Sequence, residues 1–266
     1  MNFGLKGKAA LVCASSRGLG CACAAALVEE GVDVVLVARG AEALEEAAQS
    51  LRTGNSKVLA VAADITTTQG RAAALKAAEG LGHREYAGYD IVVTNAGGPP
   101  PGDFRDLDLA MWQDALNANM LTPIELMRAT VDGMARRKWG RIVNITSTAV
   151  KAPSAYLALS NGARSGLTGF TAGLARQVAA QGITVNNLLP GTFATDRLVN
   201  NLQAGASQAE MPLDAYTEKR RLAVPAQRFG EAAELGAACA FLCSMQAGYI
   251  TGQNLLIDGG VYPGVF

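Results

Sequence analysis

The chain predicts an α/β protein built on a doubly wound parallel sheet with helices on both faces. Three observations carry this reading. Short β-branched runs alternate with longer alanine-rich segments of helical period. The runs are near-continuously apolar rather than alternating, as strands covered on both faces are. A glycine-bearing turn, Ala14-Ser15-Ser16-Arg17-Gly18-Leu19-Gly20, follows the first of them.

The first strand is expected over residues 9–13, and Gly18 opens a helix over 18–30. A second strand over 33–37 ends at Ala38-Arg39 and leads into a helix over 41–52. The third, 58–62, runs into Asp64-Ile65 and a helix over 67–79. The fourth, 91–94, ends in Asn95-Ala96-Gly97-Gly98. Three prolines follow, Pro99 to Pro101, and stiffen that loop before a long helix over 110–137. The fifth, 141–145, ends at Thr146-Ser147 and precedes a helix over 155–180. The sixth, 184–188, leads to Pro190-Gly191, and a helix over 231–244 precedes the seventh, 254–257. Alternation of this length implies right-handed crossovers. No repeat, low-complexity tract or linker divides the chain, so residues 1–266 are read as a single domain. Residues 195–225 break the rhythm: the stretch is polar and long for a connection. Long loops in compact domains are commonly lids, and this one begins where open sheets bind ligands, beyond the carboxyl ends of the strands. It is read as a substrate lid.

Composition excludes several classes. Half the residues are apolar and 17% charged, with 23 Lys and Arg balanced by 23 Asp and Glu. No net field recruits nucleic acid or anionic lipid. No apolar stretch approaches the roughly twenty residues of a membrane helix, and the start of the chain has no signal-peptide run, so a cytoplasmic location is expected. The five cysteines have no histidine or further cysteine spaced to complete a tetrahedral metal site. They are read as buried small hydrophobes, no metal is expected, and His83 is given no role.

The turn after the first strand suits a pyrophosphate. Gly18 and Gly20 let the backbone approach it, and the helix N-terminus offers free N–H groups and partial positive charge. Asp64 follows the third strand, where a carboxylate can accept from an adenine amino group. The glycine turn, Asp64-Ile65, Asn95-Ala96-Gly97-Gly98, Pro190-Gly191-Thr192-Phe193-Ala194-Thr195 and Thr251-Gly252-Gln253 with Asp258-Gly259-Gly260 together resemble the short-chain dehydrogenase/reductase family over essentially the whole chain. Within that family the resemblance is to 3-oxoacyl thioester reductases and related carbonyl reductases.

The resemblance implies a nicotinamide-dependent oxidoreductase acting on a carbonyl/alcohol pair. Ser15, Arg17, Gly18, Leu19 and Gly20 match the family's cofactor loop, Asp64 and Ile65 the adenine side, and Asn95, Ala96 and Gly97 the ribose motif. Pro190, Gly191 and Thr195 match the residues beside the nicotinamide. The family's first loop glycine is Ala14 here, and smallness rather than positive φ is expected at that position. An acid at the end of the second strand would bind ribose hydroxyls. This chain has Arg39 there and Arg17 facing it. Two guanidinium groups suit a 2′-phosphate, so NADP(H) is expected over NAD(H). The implied assembly is a homotetramer or homodimer.

The same resemblance places the proton chemistry on a Ser, a Tyr and a Lys four residues after the Tyr. A phenol near pKa 10 is a poor acid until a cation assists it. Ser147 matches the orienting Ser, Asn119 the supporting helix Asn, and Tyr156 is the first-choice acid. Matching the helix places Leu157 at the Tyr position and Asn161 at the Lys position. Tyr156 and Asn161 lie about 140° apart around a helix. Three readings follow. In one Tyr156 reaches the site through a shifted helix start, alone or with a cation such as Lys151. In another Ser147 or water donates the proton. In the third the protein binds NADP(H) without turnover, as a regulator or partner subunit.

Overall fold

The fold follows from strands that need cover on both sides. A computed structural model describes residues 2–52, 54–82 and 88–265; His83 lies outside them. Seven strands occur among these: β1 (Ala9–Cys13), β2 (Asp33–Ala38), β3 (Val58–Ala62), β4 (Ile91–Thr94), β5 (Gly140–Ile145), β6 (Ile183–Pro190) and β7 (Asn254–Ile257). All pair in parallel, in the order β3-β2-β1-β4-β5-β6-β7. The order reverses between β1 and β4, which opens a crevice at their carboxyl ends.

The period-2 geometry of each strand divides its apolar residues between two cores. Ala10, Val12, Val34, Leu36 and Val143 pack under α1 (Gly18–Glu29), α2 (Ala41–Leu51) and α9 (Ala232–Cys243). Ala9, Leu11, Val35, Val92 and Ile142 face α3 (Thr68–Lys76), α5 (Thr122–Arg136) and α6 (Ala158–Val178). Cys13, Cys23, Cys239 and Cys243 are free and buried, and Cys239 links by thiol hydrogen bonds to Cys23 and Cys243. No helix among the described residues is long and apolar enough to cross a membrane.

Three expectations change. The helix expected over 110–137 is interrupted: α4 (Leu109–Leu116) passes into a π-helical turn, Asn117–Leu121, before α5. Pro123 opens α5 and has no N–H to return to the Asn119 carbonyl, so the i→i−4 ladder cannot run through. The helix expected from 155 begins at Ala158. Gly102 N–H donates to the Tyr156 carbonyl at 3.0 Å and Leu157 bridges to Gly102, holding that stretch outside the helix. Finally, the stretch read as a polar loop forms two helices, α7 (Asp196–Gln208) and α8 (Leu213–Leu222). Leu202 and Ala206, one turn apart, bury the inner face of α7.

Candidate active site

The cofactor side is built at the carboxyl end of β1. Gly18 adopts φ +60, and a Cβ on Gly20 would fall on the Ala14 carbonyl, so both positions demand glycine. Ala14 itself has φ +49. The expectation that this position needs only smallness is corrected: the turn requires left-handed backbone, and Ala14 bears it at a cost of about 1 kcal/mol. The N-cap of α1 is Arg17, and no side chain caps the helix, which leaves its first N–H groups open to an anion. These features fit a dinucleotide pyrophosphate. Leu19 packs on the core and orients the helix.

Ser15 is fully buried, donating to the Val12 carbonyl at 2.8 Å and accepting from Val37 N–H at 3.0 Å. Its hydroxyl ties β1 to β2, so what it offers a cofactor is backbone. Arg39 is exposed just past β2. Asp64 accepts from the Thr66 N–H and hydroxyl, and these bonds, with the nearby Arg39 charge, hold its carboxyl below the usual range. Ile65 is buried beside it. Arg17 reaches across the crevice to Asp196 at 3.3 Å, both side chains largely exposed. Asn95 N–H bonds the Cys13 thiol, whose burial pushes it up to about 12; this seats Asn95, Ala96 and Gly97 on the end of β1. Opposite them, Thr195 faces Gly18, and Gly191 is pressed on Asp258 beyond Pro190.

Beneath this rim runs a buried polar ladder in strand register. Thr94 donates to Asn144 at 2.6 Å, Asn144 to Asn187 at 2.9 Å, and Asn187 to Asn254 at 2.7 Å. Asn144 also donates to Thr171 of α6 at 3.2 Å. The ladder fixes the ends of β4 to β7 against α6. Sequence reading passed over it, although asparagines inside apolar strands were the visible signal.

The catalytic region departs furthest from expectation. Ser147 extends from β5, and its Oγ accepts from Ala149 N–H at 3.1 Å. Asn119 is buried within the π-helical turn. Tyr156 is 64% exposed, in the turn ahead of α6. Lys151, the cation weighed as its helper, stands over the Tyr262 ring at 5.6 Å instead. Asn161 does not take a cation's place either: its amide donates to the Ser154 carbonyl at 2.8 Å.

The helix carries a buried cation that sequence reading passed over, Arg164, three residues beyond the Asn161 matched to the family's Lys. Arg164 is buried on α6, and its Nη1 donates to the Ile145 carbonyl at 3.0 Å and the Thr146 carbonyl at 2.6 Å, directly before Ser147. Burial, reinforced by the Arg197 charge, pushes its guanidinium down to about 10, so it is cationic at neutral pH. Ser160, one turn earlier, is buried too. It is the one hydroxyl in α6 with a cation four residues on, which was the signal available in the sequence.

Fold and site together define a dinucleotide-binding protein with a stretch of uncapped helix N-terminus, a serine just past β5 and a buried cation bonded to the carbonyls before it. The sequence profile of the enoyl-(acyl carrier protein) reductase family matches residues 13–262. The 3-oxoacyl-(acyl-carrier-protein) reductase FabG of Vibrio cholerae is 35% identical over 263 residues, covering 97% of this chain and 98% of that one. The Vibrio harveyi enzyme of that name is 36% identical over 264 residues, with the same coverage. The L-sorbose reductase of Gluconobacter frateurii, solved with NADPH and L-sorbose, superposes with TM-score 0.92 at 30% identity over the whole of both chains. An actinorhodin polyketide ketoreductase with NADPH gives 0.90 at 28% identity, covering 97% of this chain and 98% of that one. The chain belongs to the short-chain dehydrogenase/reductase family. It is a nicotinamide-dependent oxidoreductase acting on the carbonyl/alcohol pair.

Proposed function

We propose that this protein reduces carbonyl groups of small-molecule or acyl substrates, with ketones and 3-oxoacyl thioesters as the first candidates, and that it uses NADP(H) in preference to NAD(H). The observation that carries the cofactor preference is Arg39, a cation just past β2 where an acid would select NAD(H). Arg17 lies on the facing turn. Its exposed ion pair with Asp196 is weak, so a 2′-phosphate competes for the guanidinium.

When bound, NADPH supplies the hydride. The chain's own residues do the rest. Ser15, Gly18, Leu19 and Gly20 hold the pyrophosphate on the start of α1, Arg17 and Arg39 take the 2′-phosphate, and Asp64 and Ile65 receive the adenine. Asn95, Ala96 and Gly97 flank the ribose; Pro190, Gly191 and Thr195 back the nicotinamide. Ser147 orients the substrate oxygen, and Asn119 supports the site from the π-helical turn. Helices α7 and α8 close over the crevice as a lid. Tyr156, the first choice of acid from the sequence, keeps a place only at the rim. Assembly as a homotetramer or homodimer is supported by the exposed apolar side chains Phe241, Met245, Tyr249 and Leu255 around α9 and β7.

The test is NADPH consumption against a panel of ketones, diketones and 3-oxoacyl thioesters, beside NADPH and NADH fluorescence titrations. Turnover of a panel member with tenfold tighter NADPH binding is expected. Equal affinity for the two cofactors overturns the preference, and tight binding without turnover across the panel overturns the reductase reading.

A further inference from the structure

Arginines buried inside proteins pair with carboxylates or saturate their N–H groups on carbonyls, because an uncompensated buried charge is costly. Arg141 comes closer to the rule: its Nε donates to the Ser244 carbonyl, its Nη1 to the Gly140 and Gly182 carbonyls, and its guanidinium stacks over Trp139, which leaves only Nη2 unbonded among the described residues. Arg164 does not. It is 6% exposed, and no carboxylate among the described residues pairs with it. Nη1 alone is bonded, while Nε is enclosed without a partner. Nη2 has no partner among the described residues either, and it is not among the fully enclosed atoms.

Nη1 is anchored on the two carbonyls that precede Ser147. The neighbouring Arg197 guanidinium, from the first turn of α7, lies against Gly98 in the loop after β4. Arg197 has no acid partner among the described residues, and its charge is felt at Arg164. Two like charges thus act on each other, and one of them, Arg164, is anchored directly before Ser147.

We infer that Arg164 supplies the positive charge at the reacting oxygen, binding through Nη2 the oxyanion that forms when a carbonyl is reduced beside Ser147, and that Tyr156 takes no part. This rests on the reductase reading. Hydride addition to the carbonyl carbon breaks the C=O π bond, and its electron pair becomes the oxyanion: the carbonyl is reduced and NADPH oxidised. Arg164 and the Ser147 hydroxyl hold that oxyanion; a solvent water then gives it a proton, breaking the water O–H bond to form the alcohol O–H and releasing hydroxide to the bulk buffer. A guanidinium fixed before the reaction stabilises charge that exists only as hydride moves, which lowers the barrier rather than tightening substrate binding.

The experiment compares Arg164→Gln, Arg164→Lys and Tyr156→Phe with the wild type in kcat and KM on an accepted carbonyl substrate, NADPH affinity by fluorescence, and fold by circular dichroism. Glutamine can still donate to the backbone carbonyls but carries no charge. A loss of at least a hundredfold in kcat is expected, with KM and NADPH affinity held within threefold. The lysine variant recovers at least tenfold of that loss, and Tyr156→Phe stays within twofold of wild type. A glutamine variant within threefold of wild-type kcat overturns the inference, as does a hundredfold loss in Tyr156→Phe. Should the glutamine variant fail to fold, the other two decide: a folded lysine variant with a hundredfold loss overturns it, and one within tenfold of wild type supports it. Wild-type protein that binds NADPH yet turns over no panel member overturns both readings, whereas an active wild type with indifferent variants overturns this one alone.

Discussion

Ala14 shows how one residue can meet a turn's geometric demand imperfectly. Its φ of +49 puts an L side chain where glycine is at ease. Ala14→Gly is therefore expected to stabilise the protein by about 1 kcal/mol, read as a higher urea midpoint; an unchanged midpoint would sink the strain argument. Gly20 has no such latitude, since a methyl group there meets the Ala14 carbonyl. Gly20→Ala should displace the turn and weaken NADPH binding by at least tenfold, and an unaltered titration would show that the loop tolerates the shift. Cys13 gives a pH dependence of defined sign. Burial raises its thiol from 9.0 to about 12 in the folded state. The group thus contributes stability fully present below about pH 9 and lost as pH rises toward about 12. Urea midpoints taken below and above pH 9 should fall on the alkaline side, and more steeply for wild type than for Cys13→Ala.

Elements place these residues in one crevice. The Thr94-Asn144-Asn187-Asn254 ladder holds four strand ends in register under the site. Asn144→Ala leaves Thr94 and Asn187 each short of a buried partner, for a loss of about 3 kcal/mol. Chemical denaturation measures it, and a loss below about 1 kcal/mol would mean that water replaces the amide. Helix α7 meets the cofactor turn through Asp196 and Arg17. Asp196→Asn frees Arg17, so NADPH should bind roughly two- to fivefold more tightly while NADH is unaffected. An equal gain for both cofactors would place Arg17 on the shared pyrophosphate rather than the 2′-phosphate. The interruption at Asn117–Leu121 belongs to this scale as well, because Pro123 removes the one N–H that would make the helix continuous there.

In the whole molecule, two helical layers enclose a parallel sheet, and the strand order reverses where the crevice opens. Periodicity, turn glycines and apolar runs were enough to place seven strands and the cofactor turn, because such features are local and repeat along the chain. The residues proposed for the cofactor side could be placed for the same reason, since they lie in the segments that follow strand ends. Helices α7 and α8 were not, since a polar surface helix with a short buried stripe reads like a loop. The cation was missed because it depends on where α6 starts. Held by Gly102, the chain delays that helix to Ala158, turns Asn161 toward Ser154 and brings Arg164 under Ser147. The sequence by itself determined the doubly wound fold and the glycine turn after β1, whose causes lie within a few residues of each other. Only tertiary structure decided that a cation lies buried against the end of β5, because the packing of α6 on that strand end bonds Arg164 through Nη1 and leaves its Nε without a partner among the described residues.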